Sequence, residues 1–160
     1  MQEIFTEYKT IIVFLHVLSA VIWVGGMIAM RYAAHPSFML VESGEERLNR
    51  IVHALKRLFI IVFPFTIILV LTAVVMLIGY DLKSTDYAQL GYIKEGIWMI
   101  MFLNYLIMIK RRNKAAKLLA EGDIAGAKFS MAIVGKYMIP VNIILGVAAI
   151  FLGSSLSSSL

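Results

Sequence analysis

The chain has 160 residues, a net charge of +5, no cysteine and 61% hydrophobic residues, with a mean hydropathy of +0.86. Globular chains use roughly 45–50% apolar residues, so a soluble domain of this length could not bury so much, and a lipid bilayer is the implied solvent. The missing cysteines exclude disulfides, thiolate metal sites and iron–sulfur clusters, and a basic surplus in so apolar a chain reports membrane orientation rather than a nucleic-acid partner.

The opening segment MQEIFTEYKT holds two acids and one lysine before an apolar run from Ile11 to Ala34. A signal peptide has a basic start and a shorter apolar core of about 7–15 residues, so the run is expected to be a retained helix 1, about Thr10 to Ala34. His35-Pro36 reads as its end, because proline disfavours helix at the preceding residue. The segment SGEE, Ser43 to Glu46, fits a capping box. Helix 2 is expected to start near Gly44 and to cross the membrane from about Leu58 to Gly79. Helix 3 crosses from about Gly91 to Ile109 and continues through KRRNKAAKLLAEGD to stop at Gly122. Asp123 is placed to cap helix 4, which crosses from about Tyr137 to Gly153. Each crossing approaches the roughly 20 residues that a bilayer requires. Pro64 and Pro140 are expected to kink helices 2 and 4. Residues 1–153 form one domain, and 154–160, SSLSSSL, read as a flexible serine-rich tail.

Twelve of the fifteen Lys and Arg residues fall in or beside the two loops that join helix 1 to 2 and helix 3 to 4; only Lys9, Lys83 and Lys94 lie on the other side. The positive-inside tendency puts both basic loops in the cytoplasm. The expected fold is all-α: a four-helix transmembrane bundle, up-down-up-down, with both termini outside and helices 2 and 3 extended into the cytoplasm. The implied location is a bacterial-type inner membrane, crossed several times.

Polar groups within a bilayer are costly and face the bundle interior, so the informative residues are few. His16 lies roughly 9 Å inside the outer end of helix 1, and Ser19, Ala20, Trp23 and Met27 share its face by helical spacing. Two readings stand side by side: an axial ligand to a b-type haem, since neutral imidazole ligates iron and copper, or a hydrogen bond to a neighbouring helix. Lys94 and Glu95 fall near the outer end of helix 3, and at most one of them points inward. Lys94 can bind a haem propionate or take part in proton transfer, or it can snorkel to the headgroups. Asn104 and Asn142 lie at similar depth, where a mutual amide hydrogen bond would act as structural glue. His35 and His53 lie a helix length away from His16. Met76, Met99 and Met101 fall at depths compatible with His16, and thioethers ligate haem iron or Cu(I); core filling is the alternative. No nucleotide-binding or hydrolytic motif is present.

The stretch LHVLSAVIWVGGM, with His16, Trp23, Gly25 and Gly26 and then Pro36, resembles the first helix of CopD-type copper-resistance membrane proteins and of HemJ-type protoporphyrinogen oxidases. RLFIIVFPFTIILVLTAVVMLIG resembles their second helix, and AEGDIAGAKFSMAIVGKYMIPVNIILG the third loop and fourth helix of the small relatives, with Asn142 and Gly146 in place. The resemblance implies that His16 is a haem or metal ligand. It also brings departures: His35 stands where small relatives carry arginine, and Lys94 where they carry histidine. HemJ-type proteins carry lysine at that position and a histidine later in the helix, where this chain has Asn104. A pair of histidine ligands is therefore not evident.

Three functions follow as expectations. The first is a haem-dependent membrane oxidoreductase or electron carrier, with His16, Trp23 and Lys94 around haem b and a quinone or porphyrinogen as partner. The second is copper handling by His16 and methionines. The third is a non-catalytic assembly subunit whose basic cytoplasmic helices dock acidic partners or anionic lipid, with homo-oligomerisation open in each case.

Overall fold

A computed structural model describes residues 2–81 and 88–159, with the backbone alone for Gln2, Ile4 and 157–159. Lys83 lies outside the described residues. Helix α1, Gln2–Ala29, leads through a widened turn, Met30–Ala34, into α2, His35–Met39; α3 is Gly44–Gly79 and α4 is Ala88–Ala120; α5, Ile124–Ile133, leads through a second widened turn, Val134–Met138, into α6, Ile139–Ser159. The expected all-α four-helix bundle is therefore what the chain forms, and no strand occurs among the described residues. Four helical stretches are long and apolar enough to cross a membrane: Phe5–Met39, Gly44–Gly79, Ala88–Ala120 and Ile124–Leu156.

The helix ends follow their capping chemistry. The Ser43 hydroxyl accepts from the Glu46 N–H at 3.3 Å, and Asp123 accepts from the Gly126 N–H at 2.8 Å, each satisfying a donor that the first helical turn leaves open. Glu46 does not reach back to complete a capping box; its carboxylate holds Arg50 one turn ahead. Gly122 stops α4 with a left-handed φ of +80°, a conformation that glycine adopts without strain.

Pro36 does not end helix 1. A proline ring collides with the carbonyl four residues back and offers it no N–H. In the turn Met30–Ala34 the hydrogen bonding lengthens by one residue, the His35 N–H reaching Met30 O, and the helix accommodates Pro36 and runs on to Met39. Val134–Met138 does the same ahead of Pro140, with the Ile139 N–H on Val134 O. Pro64 sits within a continuous α3. At the carboxyl end, α6 runs through Ser159, so residues 154–159 extend helix 4 rather than leaving it.

Successive helices are neighbours: α1 packs along α3, α3 on α4, α4 on α5 and α6, and α6 closes the ring against α1. The core is the inward stripe of each helix, with Trp23, Met27, Leu55, Val62, Tyr105, Met108 and Val134 almost fully buried. The outward stripes are apolar too: Phe14, Ile61, Leu71, Ile144 and Phe151 are each more than half exposed. Such a surface suits lipid rather than water, and the chain is a multi-pass membrane protein. Cross-helix bonds pin the basic end, where the Arg112 Nε–H donates to Val52 O at 2.9 Å and the Ser130 hydroxyl to Arg111 O at 3.0 Å.

Candidate functional site

The polar residues of the apolar spans gather at two levels. The deeper level is structural. The Asn104 amide donates to Asn142 Oδ1 at 2.7 Å and to Met138 O at 2.8 Å, and the Asn142 amide donates to Met101 O at 3.3 Å. The expected mutual bond is present and ties α4 to α6. On the same helix the Tyr105 hydroxyl donates to Phe59 O at 2.6 Å, one residue from the Ile60 carbonyl that Pro64 leaves without its helical donor.

The second level lies towards the end that holds both termini. Here the Thr72 hydroxyl donates to the Ile68 carbonyl at 2.7 Å, and its oxygen meets His16 Nδ1 at 3.0 Å. The same hydroxyl lies 3.0 Å from the Leu69 carbonyl, and the Leu69 backbone also bonds the imidazole, so α3 holds the ring at two points. The helix–helix bond expected of a histidine in a membrane is thus made, and it ties α1 to α3. Ser19, one turn inward, is buried and bonded to Leu15 O at 2.7 Å.

Lys94 comes to a similar depth from α4, and its Nζ lies over Gly153 of α6, where a Cβ would stand 3.1 Å away. No carboxylate or hydroxyl partners this half-buried ammonium among the described residues. Glu95 points outward and is exposed, as adjacent helix positions require. One turn inward, Trp98 is half-buried and stacks on Phe102 with centroids 5.0 Å apart; its buried indole N–H has no acceptor. Buried donors normally find a partner, so an acceptor from outside the chain fits this level.

Trp23 stands below the level. It is 1% exposed and meets Tyr105 edge-on at 5.9 Å, and its indole N–H is also without a partner. A Cβ at Gly146 would collide with Val24 and lie 3.2 Å from the Met101 methyl, so the interior is closed at this depth. The His16–Lys94 level is less tightly covered, with His16, Lys94 and Trp98 each half-buried. The methionines do not gather around His16. Met99 is half exposed on the outer surface, Met101 packs with Val24 and Gly146 about 12 Å inward, and Met76 alone follows Thr72 by one turn. His35 and His53 lie at the opposite end, and no cluster of three His, Asp or Glu occurs among the described residues.

Trp98 and Thr72 are the members of this site that the sequence reading missed. Thr72 had a signal: with Thr66 it is one of two polar residues between Leu58 and Gly79, and its distance from the helix end matches that of His16. Comparison with protein-family models, with curated proteins and with solved structures gives no match.

Proposed function

We propose that this chain is a redox protein of a bacterial-type inner membrane, with the basic loops in the cytoplasm and a b-type haem held by His16, in the manner that its resemblance to CopD- and HemJ-like proteins suggests. One observation carries the reading: His16 is anchored through Nδ1 by Thr72 within the apolar span, with Nε2 as the nitrogen that would ligate. Ligating histidines are normally oriented by such a bond from their other nitrogen. The donor set around it suits the group. Lys94 offers an unpaired cation for a propionate, Trp98 offers an N–H, and Gly153 leaves space for the lysine to turn inward. Trp23 belongs to the packed floor rather than to the ligands. A bound haem would supply one-electron chemistry, with a quinone or porphyrinogen as exchange partner. The chain's own part is to hold the iron through a neutral imidazole, to neutralise a carboxylate at Lys94 and to exclude water from below through the closed layer at Trp23.

The test is the absorption spectrum of the full chain purified from haem-replete cells, oxidised and reduced. A Soret band is expected that collapses in His16→Ala and persists in His53→Ala, which removes an imidazole at the far end. A colourless protein, or a band indifferent to His16→Ala, sinks the reading. Unimpaired cellular function of His16→Ala would favour an assembly subunit instead.

A further inference from the structure

At the basic end an open groove of about 620 Å³ runs along the first turns of α3, lined by Phe38 of α2 and by Glu46, Asn49, Arg50, His53, Ala54 and Arg57. Its volume lies within the roughly 300–1,000 Å³ of small-molecule sites. We propose that this groove holds the headgroup of an anionic phospholipid from the adjoining leaflet. The inference is independent of the haem reading, which concerns the other end of the bundle.

Three features point to a lipid. The first is the charge left over. Arg50 spends Nε and Nη2 on Glu46, and that pair cancels. Arg57 has no carboxylate partner among the described residues, so a free guanidinium remains at one end of the groove, with the Asn49 amide and the His53 ring along its length. A planar guanidinium suits the oxygens of a phosphodiester. The second is the mixed lining: Phe38 and Ala54 form an apolar wall beside these donors, as a glycerol backbone and its first methylenes require. The third is continuity with the membrane surface. Positions 50, 54 and 57 form one stripe of α3 by helical spacing, and the same stripe continues as Ile61, which is 56% exposed, beside Ile60 at 62%. A phosphate at Arg57 therefore has its acyl chains directed down a lipid-facing apolar stripe of the same helix. An acidic protein segment would find the charge but would have no use for that continuation into the bilayer.

The experiment takes the full chain through detergent purification from a defined mixture of phosphatidylglycerol and phosphatidylcholine vesicles and counts retained lipids by native mass spectrometry. Phosphatidylglycerol is expected in excess over phosphatidylcholine. Arg57→Gln should lower its retention about fivefold, the factor that corresponds to about 1 kcal/mol per basic side chain at a membrane surface. Asn49→Asp, which places a negative charge in the groove at an exposed position, should do the same, so the test does not hang on one variant folding. Lys128→Gln removes one charge from the same end of the bundle outside the groove and should leave retention unchanged. Equal losses in Arg57→Gln and Lys128→Gln would show diffuse attraction and overturn the site. So would equal retention of the two lipids, or an acidic polypeptide co-purifying in place of lipid and released by Arg57→Gln.

Discussion

Thr72 serves two partners with one oxygen. Its hydroxyl bonds the backbone of its own helix, and the same oxygen meets Nδ1 of His16 on another. Thr72→Val keeps the shape and removes the hydroxyl that meets Nδ1 in apolar surroundings. A loss of about 1 kcal/mol is expected, in the range of hydrogen bonds between membrane helices, measured by unfolding in mixed micelles. If His16 carries a haem, the Soret band of the same variant should weaken without vanishing. Thr72 was hard to find from sequence because a threonine in an apolar helix can satisfy itself on its own preceding turn and so signals no partner. His16 was conspicuous because an imidazole cannot do so. Asn104 and Asn142 were legible for the same reason: an amide has more donors and acceptors than its own backbone can meet. Their bond allows a sharper test. Asn104→Leu leaves Oδ1 of Asn142, a residue 1% exposed, without its donor and should cost about 1–3 kcal/mol. Adding Asn142→Leu should return part of that loss, and a double-mutant cycle that shows strict additivity would contradict the pairing.

Among the elements, the helix ends were readable and the proline sites only half so. Ser43, Gly122 and Asp123 act within one turn of their own positions, so local chemistry decides the outcome. Pro36 reads as a stop because local chemistry says that helix is unfavourable there. The extra residue admitted into the turn before it depends on neighbours that hold the whole rod in line, and the sequence around Met30 carries no mark of that. Close approach between elements is equally invisible until two helices are placed together. Gly25 and Gly146 look alike in sequence. A Cβ at Gly25 meets nothing within 4 Å, whereas one at Gly146 strikes Val24. Gly146→Val should therefore destabilise by about 1–3 kcal/mol through overpacking, while Gly25→Ala should be neutral or slightly stabilising in a helix interior. A thermal melt followed by circular dichroism separates the two, and equal behaviour would argue against this α1–α6 contact.

For the molecule as a whole, α3 with 36 residues is about 54 Å long at ~1.5 Å per residue, against a hydrocarbon core of about 30 Å. The surplus stands at the basic end, where Arg112 and Ser130 bond across helices outside the apolar layer. The bundle and the order of its helices were legible from hydropathy, because a bilayer constrains every residue that enters it. The absence of native cysteine makes the orientation easy to check. If both termini face outside, as proposed, Glu3→Cys should react with an impermeant maleimide in intact cells, and Ala120→Cys only after lysis; the reverse pattern would invert the topology. The additional residue in the turn Met30–Ala34 sets an angular phase for everything that follows. Excising one residue there would swing the downstream segment by about 100°, carrying Phe38 off the face it shares with Ala54. The cleft beside Phe38 and the tolerance of Pro36 therefore hang on the same single amino acid of slack, so a deletion scan through five positions should abolish both together.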